Sequence, residues 1–479
     1  MNTKELLYYN GFGGFSKDGS KYIICTSEKF TPAPWSHIIA NEKFGTLLTA
    51  NGGGYIWSHN SRENKLTTWS NDPIEDKPSE ILQYEFEEKI YNLLPYDSLE
   101  NFVVEYGFGY AKFLKNAFEI DSETTIFVPR DECKKIYNIT LKNKTNNQKQ
   151  ITLKYKIEPV LGVSREYTKK HLIITKKENG VTINNYYREN FDNETLYITT
   201  SEIIGNIEIE NKIVSMDINM TLSPLEEKNI IVEIGASENL SNFEITKNPN
   251  EKLEEIKMYW ENLISKVKIR TPIESMNIMM NGWLLYQTVT SRLWARTSFY
   301  QASGAFGFRD QLQDTLMLLY YKPEITKKQI IYHAKHQFVE GDVLHWWHPE
   351  KDNGIRTRYT DDLLWLPYVL YEYIAKEKDY EILDMNIPYV KMASLSDEEN
   401  ERYANVETEE KEESLYMHAK RAIEKSLSFG EHGLPKMSGG DWNDGMNNVK
   451  GESVWLRFLF IWCFEKILQV VWNKTEIKI

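Results

Sequence analysis

Cysteine is scarce. Cys25, Cys133 and Cys463 are the only three in 479 residues. They are scattered without metal-ligand spacing, which excludes a disulfide framework and points to a reduced, cytoplasmic setting. Basic charge is short too: 57 Lys and Arg stand against 70 Asp and Glu, a net charge of −13. Nucleic-acid binding draws on a cationic surplus, so a nucleic-acid partner is excluded. Long apolar runs are missing. Met1-Asn2-Thr3-Lys4-Glu5 leads into no signal-peptide core, and the stretch from Leu456 to Phe464 is too short to span a bilayer. Asn51-Gly52-Gly53-Gly54-Tyr55-Ile56-Trp57 has the glycines of a phosphate loop but no Gly-Lys-Ser/Thr after them, so it reads as a hairpin turn. The sequons at Asn138 and Asn193 are expected by chance in so asparagine-rich a chain.

Aromatic residues, by contrast, make up 13% of the chain, enough both to build large cores and to line carbohydrate subsites. The length implies more than one core. From Tyr8 to about Ala236 apolar and polar residues alternate in short runs, as in Lys21-Tyr22-Ile23-Ile24-Cys25 and Ile151-Thr152-Leu153-Lys154-Tyr155-Lys156-Ile157. Repeated period-two segments with turn signals between them predict an antiparallel β-sandwich over residues 1–245. The polar stretch from Ser61 to Asp72 reads as a loop, or as a contact surface for sugar or another subunit.

The period turns helical from Glu251 onward. Leu253, Ile256, Tyr259, Trp260 and Leu263 share one face of a linker helix in residues 246–270. Thr271-Pro272-Ile273-Glu274 reads as a capping box opening an apolar helix. Further helices are expected at roughly 311–321, 325–338, 361–376, 413–428 and 453–470. The charge run over 395–412 reads as a solvated loop and helix start.

Successive helices joined by long polar-aromatic loops are what an α/α toroid looks like, and three loops have the composition of a sugar site. One holds Arg309 and Asp310, suited to adjacent sugar hydroxyls or to a buried pair tying two helices; Gly304 and Gly307 favour an open loop. The second runs through His345, Trp346, Trp347 and His348 to Arg356, Asp361 and Asp362. It reads as an aromatic wall for a glycan more readily than as a metal cluster, since two histidines without a carboxylate at ligand spacing make a poor site. Trp365 and Tyr368 beyond it read as core. The third is Gly439-Gly440-Asp441-Trp442-Asn443-Asp444-Gly445-Met446-Asn447, a tight acidic loop with one indole. A carboxyl beside an indole suits glycoside cleavage, where an acid protonates the departing oxygen and a ring packs on the sugar. The plainer alternative is helix capping by Asp441 and Asp444 with Trp442 in the core.

These residues carry a resemblance. The chain resembles glycoside hydrolase family 94, the inverting disaccharide and oligosaccharide phosphorylases. It is most similar to the phosphorylase region of cyclic β-1,2-glucan synthases and to 1,2-β-oligoglucan phosphorylases. The matching motifs are Tyr9-Asn10-Gly11-Phe12-Gly13-Gly14-Phe15, Thr31-Pro32-Ala33-Pro34-Trp35, Asn60-Ser61-Arg62-Glu63-Asn64, Gly307-Phe308-Arg309-Asp310-Gln311-Leu312-Gln313-Asp314, His345-Trp346-Trp347-His348-Pro349 and Gly440-Asp441-Trp442-Asn443-Asp444.

The resemblance implies an N-terminal antiparallel β-sandwich, a helical linker and a partial (α/α)6 barrel over 271–479. Asp444 is implied as the general acid, with Arg309, Asp310, Trp442, Asp441, Arg356, His345 and Trp346 at the substrate. The implied substrates are a β-linked gluco-oligosaccharide, β-1,2-glucan first, and inorganic phosphate as co-substrate; no metal or other cofactor is called for. Burial against Trp442 would raise the Asp444 pKa, as a general acid requires. Family members continue past the aspartate loop, so the chain is expected to be a C-terminally truncated barrel lacking most phosphate-binding groups, its tail from Val470 to Ile479 outside the family pattern. Such a half-barrel exposes apolar helix faces and calls for a homodimer or a missing C-terminal half. An inverting hydrolase and a non-catalytic glycan-binding module are the alternatives.

Overall fold

The computed structural model describes residues 3–477 apart from 27–29, 73, 97, 99, 189, 240–243, 351 and 447–448, and of residues 471–477 the backbone alone. Asn447 of the aspartate loop, the opening Met1-Asn2 and the side chains of the tail after Val470 lie outside the described residues. The chain forms two compact units, Met1–Gly304 and Ala305–Ile479.

The first unit is the antiparallel β-sandwich with its helical appendage. A ten-stranded sheet runs from the edge strand Gly13–Phe15 to Ile173–Lys177, and two five-stranded sheets accompany it. Strand Lys149–Ile157 shows why the periodicity was readable. Ile151, Leu153, Tyr155 and Ile157 are buried while the residues between them face outward, and its register sets Leu153 opposite Tyr84 and Ile218. Asn51 to Gly54 is the expected hairpin turn, joining strands Phe44–Thr49 and Gly54–Ser58.

The polar stretch after Asn60 turns some of its side chains inward and includes a short strand, Lys65–Thr67. Ser61 donates to the Ala295 carbonyl at 2.7 Å, and Asn64 donates to Glu194 at 2.7 Å; both are buried. Their polarity serves internal hydrogen bonds, which a composition reading cannot separate from binding capacity.

Helix Pro249–Ile264 buries Leu253, Ile256, Trp260 and Leu263 as its period requires, with Tyr259 half-buried. The capping box at Thr271 does not form. The following helix begins at Glu274, and the Thr271 hydroxyl donates instead to the Asn277 side chain at 2.9 Å. Helical turns continue from there to Ala295, inside the first unit.

In the second unit, helices Phe308–Thr315, Pro323–Ala334, Trp365–Glu377, Leu415–Lys425 and Val454–Ile477 pack around Leu312, Ile330, Leu366, Leu370, Ala419 and Cys463. Trp365 is buried in that core, and Tyr368 packs half-buried against it. The charge run is where the structure departs from expectation. Glu401–Asn405 is a strand paired with Asn353–Thr357, and Glu407–Ser414 a strand paired with Asn386–Lys391. Backbone pairing overrides the poor strand propensity of Glu and Lys, whose side chains stay in water. No helix among the described residues is long and apolar enough to cross a membrane.

Candidate active site

Arg309 lies on the first turn of helix Phe308–Thr315 rather than in an open loop. Gly307 before it is extended and pairs with Trp346. A side chain at Gly307 would meet Asp310 Oδ2 at 2.3 Å, so the Asp310 carboxylate folds back over this glycine and would have to move for any larger residue. An acidic group in this first turn also complements the helix dipole.

Arg309 is buried, with 6% of its surface exposed. Its Nη1 donates to both oxygens of Asp361, at 3.1 and 3.0 Å, and to the Asp441 carbonyl at 3.1 Å; its Nη2 donates to Asp444 Oδ1 at 2.6 Å. Three stretches far apart in the chain therefore converge on one guanidinium. Burial opposes the charge on Arg309, and Asp361, Asp362 and Asp444 more than restore it. Burial, followed by the neighbouring Asp362, raises Asp361 well above the usual carboxylate range against the pull of Arg309.

Asp362 is buried as well. Its Oδ2 meets His345 Nδ1 at 2.7 Å, while Oδ1 has no hydrogen-bond partner among the described residues. Burial works against a proton on His345, but the Asp362 carboxylate outweighs it and raises the imidazole above its ordinary value. The His345 ring stacks face to face on Tyr359, with centroids 4.5 Å apart, and the Tyr359 hydroxyl donates to the Asp444 carbonyl at 3.2 Å.

The aspartate loop is held at several points. Asp441 is buried, accepting from the Asn443 amide through Oδ1 and from the Ser453 hydroxyl through Oδ2. Gly440 has φ +148, and a Cβ there would strike the Tyr359 ring at 2.4 Å, so the loop's close approach to Tyr359 depends on glycine. Asp444 itself opens a single turn of 3-10 helix and is exposed over 58% of its side chain. Its Oδ2 has no partner among the described residues.

Several expectations need correction. Asp444 is not buried against Trp442: the indole is half-exposed, and its Nε1 donates to Gln313 Oε1 at 3.2 Å. Arg356 is enclosed by protein groups. It is 2% exposed, gripped by Asp342 through Nε at 2.6 Å and Nη2 at 2.8 Å, and donates from Nη1 to the Met392 carbonyl. The run from His345 to His348 forms a strand, Leu344–His348, not a loop; Trp346 lies half-buried in it beside Tyr403 and His348. Sequence reasoning left Asp361, Asp362, Tyr359 and Gln313 inside its sugar-site stretches without giving any of them a role. Spacing did carry one signal, since Gln313 stands one helical turn after Arg309 and shares its face.

Two family descriptions match the chain: "Glycosyl hydrolase 94, supersandwich domain" over residues 20–210 and "Glycosyl hydrolase 94 superfamily, catalytic domain" over 259–477. The second runs through the tail that had looked foreign, which the structure continues as helix. Among curated relatives, cyclic beta-(1,2)-glucan synthase NdvB of Rhizobium meliloti (strain 1021) is 31% identical over 95% of this chain and 18% of its own length. N,N'-diacetylchitobiose phosphorylase of Vibrio proteolyticus is 24% identical over 96% of this chain and 64% of its own. The chain thus spans less than two thirds of either relative. Among solved structures, a bacterial glucoamylase complexed with acarbose aligns over 88% of this chain and 64% of its own at TM-score 0.50 and 11% identity, a likeness of fold.

Proposed function

The chain belongs to the glycosyl hydrolase 94 superfamily, and on that premise we propose that it carries the general acid of an inverting glycoside phosphorylase acting on β-1,2-linked gluco-oligosaccharides. The β-1,2 linkage is supported by the relative named a cyclic beta-(1,2)-glucan synthase.

In this reading the Asp444 carboxyl gives its proton to the glycosidic oxygen as the bond from that oxygen to the anomeric carbon breaks. An oxygen of inorganic phosphate attacks the same carbon from the opposite face. The products are α-glucose 1-phosphate and a glucan one unit shorter. Because the nucleophile arrives as phosphate, no second carboxylate is needed to activate water, unlike in an inverting hydrolase. Arg309 holds Asp444 Oδ1 and leaves Oδ2 to carry the proton, so its role is to aim the acid. Asp310, Trp442, Trp346 and His345 remain the groups assigned to the sugar.

What carries the reading is the meeting of Arg309 and Asp444, 135 residues apart, at 2.6 Å beside Asp361. The test is an assay of purified protein, alone and with the polypeptide that follows the matched region in its longer relatives added in trans. Glucose 1-phosphate should appear from β-1,2-gluco-oligosaccharides only when phosphate is present, and Asp444→Asn should lower the rate by about 10²–10⁴-fold. Free glucose released at the same rate without phosphate would instead mark a hydrolase.

A further inference from the structure

The chemistry above uses none of the two N-terminal motifs, Tyr9 to Phe15 and Thr31 to Trp35. In the first unit the last residue of each, Phe15 and Trp35, lines an aromatic pocket of about 220 Å³. Its floor is Tyr106 and Trp283, both buried; its walls are the half-buried rings of Phe15, Tyr22 and Trp35. The rings brace one another edge-on, Tyr22 against Trp35 at 5.8 Å between centroids and against Phe15 at 4.9 Å. Further bonds fix the frame. Tyr106 donates to the Trp35 carbonyl at 2.9 Å, and Trp283 Nε1 donates to the Gly19 carbonyl at 2.8 Å.

Three features select the occupant. The first is charge. Of the lining side chains only His37 can carry one, and burial between the Tyr106 and Tyr286 rings pushes its pKa down to about 4, so the pocket is neutral at physiological pH. A phosphate or a sugar acid would find no counter-charge in it. The second is size: at about 220 Å³ it falls below the roughly 300–1,000 Å³ of pockets that take drug-sized molecules. That suits a single ring. The third is the rim. Ser36 and Gln287 stand exposed there, and among the described residues neither side chain has a hydrogen-bond partner. Apolar walls with unengaged hydroxyl and amide groups at the mouth match a ligand with one apolar face and hydroxyls around its edge.

We propose that this pocket is an ancillary subsite for one glucosyl unit of a glucan, sharing no residue with the Arg309–Asp444 site and retaining chain rather than cleaving it. The choice of sugar rests on the glucan-phosphorylase reading; the pocket's neutrality and shape do not.

The test is calorimetric titration of Asp444→Asn protein with β-1,2-gluco-oligosaccharides, repeated with Trp35→Ala and with Gln287→Trp added. Gln287→Trp fills the mouth from an exposed position and leaves the core rings in place, so it keeps the test decisive if Trp35→Ala unfolds. Each change should weaken a binding event at least tenfold, while Gln287→Trp in the otherwise native chain leaves phosphorolysis of the disaccharide unchanged. Binding unaltered by Gln287→Trp, in protein that melts like the parent, would overturn the subsite. So would equal binding of phenylalanine amide, which would mark a pocket for an apolar side chain. Failure of the phosphorylase reading shows separately: no glucose 1-phosphate forms, while Gln287→Trp still weakens glucan binding.

Discussion

At the scale of single residues the notable feature is the company Arg309 keeps. A buried guanidinium is tolerated only with partners in place, and here Asp361, itself fully buried, supplies both carboxylate oxygens. Removing one partner strands the other. Asp361→Ala is expected to cost about 3–5 kcal/mol, read as a shift in the urea midpoint of unfolding. The double change Arg309→Met with Asp361→Leu should recover most of that loss, because it removes the two charges together. A double variant no more stable than Asp361→Ala would show that packing, not the ion pair, sets the cost. The residue scale is also where sequence reading was weakest. Arg309 and Arg356 looked alike in composition, each near acidic and aromatic neighbours. Asp444 meets one of them and Asp342 encloses the other, a difference made by pairings across 135 and 14 positions. Such pairings leave no periodic trace in the chain.

Elements were far more legible, and the reason is period. Strand Lys149–Ile157 and helix Pro249–Ile264 each bury one face against a single core, so hydrophobicity repeats at the element's own spacing. The five helices of the second unit were readable on the same ground. The strands between them were not: Glu407–Ser414 keeps almost no side chain out of water, so nothing in it alternates. Helix Val454–Ile477 shows the opposite deviation. Leu456, Leu459, Cys463 and Ile467 are buried, yet Val454, Phe458 and Leu468 on the other side are 58%, 69% and 54% exposed. A helix apolar on all sides is ordinarily covered on all sides, and an exposed apolar stripe favours association. Phe458→Glu combined with Leu468→Glu should therefore lower light scattering and shift the chain toward a smaller species in gel filtration, with helical circular dichroism unchanged. Scattering equal to the parent's would place the sticky surface elsewhere.

At the scale of the whole molecule the buried histidines set the response to acid. His37 in the first unit and His418 in the second are each buried and stacked on a tyrosine, and each has its pKa pushed down to about 4, chiefly by burial. The unfolded chain takes up the proton near the ordinary value of about 6.5, whereas the folded chain refuses it until about pH 4. Each histidine therefore contributes stability present above pH 6.5 and lost as the pH falls from there toward 4, at about 1.4 kcal/mol per pH unit. Carboxyls with raised pKa values push the opposite way, and Asp361 and Glu372 are both in the second unit. Their contributions are fully present at low pH and lost as the pH rises through the raised values; that of His345, whose value is also raised, is complete below about pH 6.5 and does not change between there and pH 4. Acid should then weaken the first unit more steeply than the second. Urea unfolding followed between pH 7 and 4 by hydrogen exchange, which reads amides of each unit separately, is expected to show protection falling faster for strands Ser36–Ala40 and Phe102–Gly107 around His37 than for helix Leu415–Lys425 around His418. Equal slopes would mean that Asp361 and Glu372 do not offset the cost at His418.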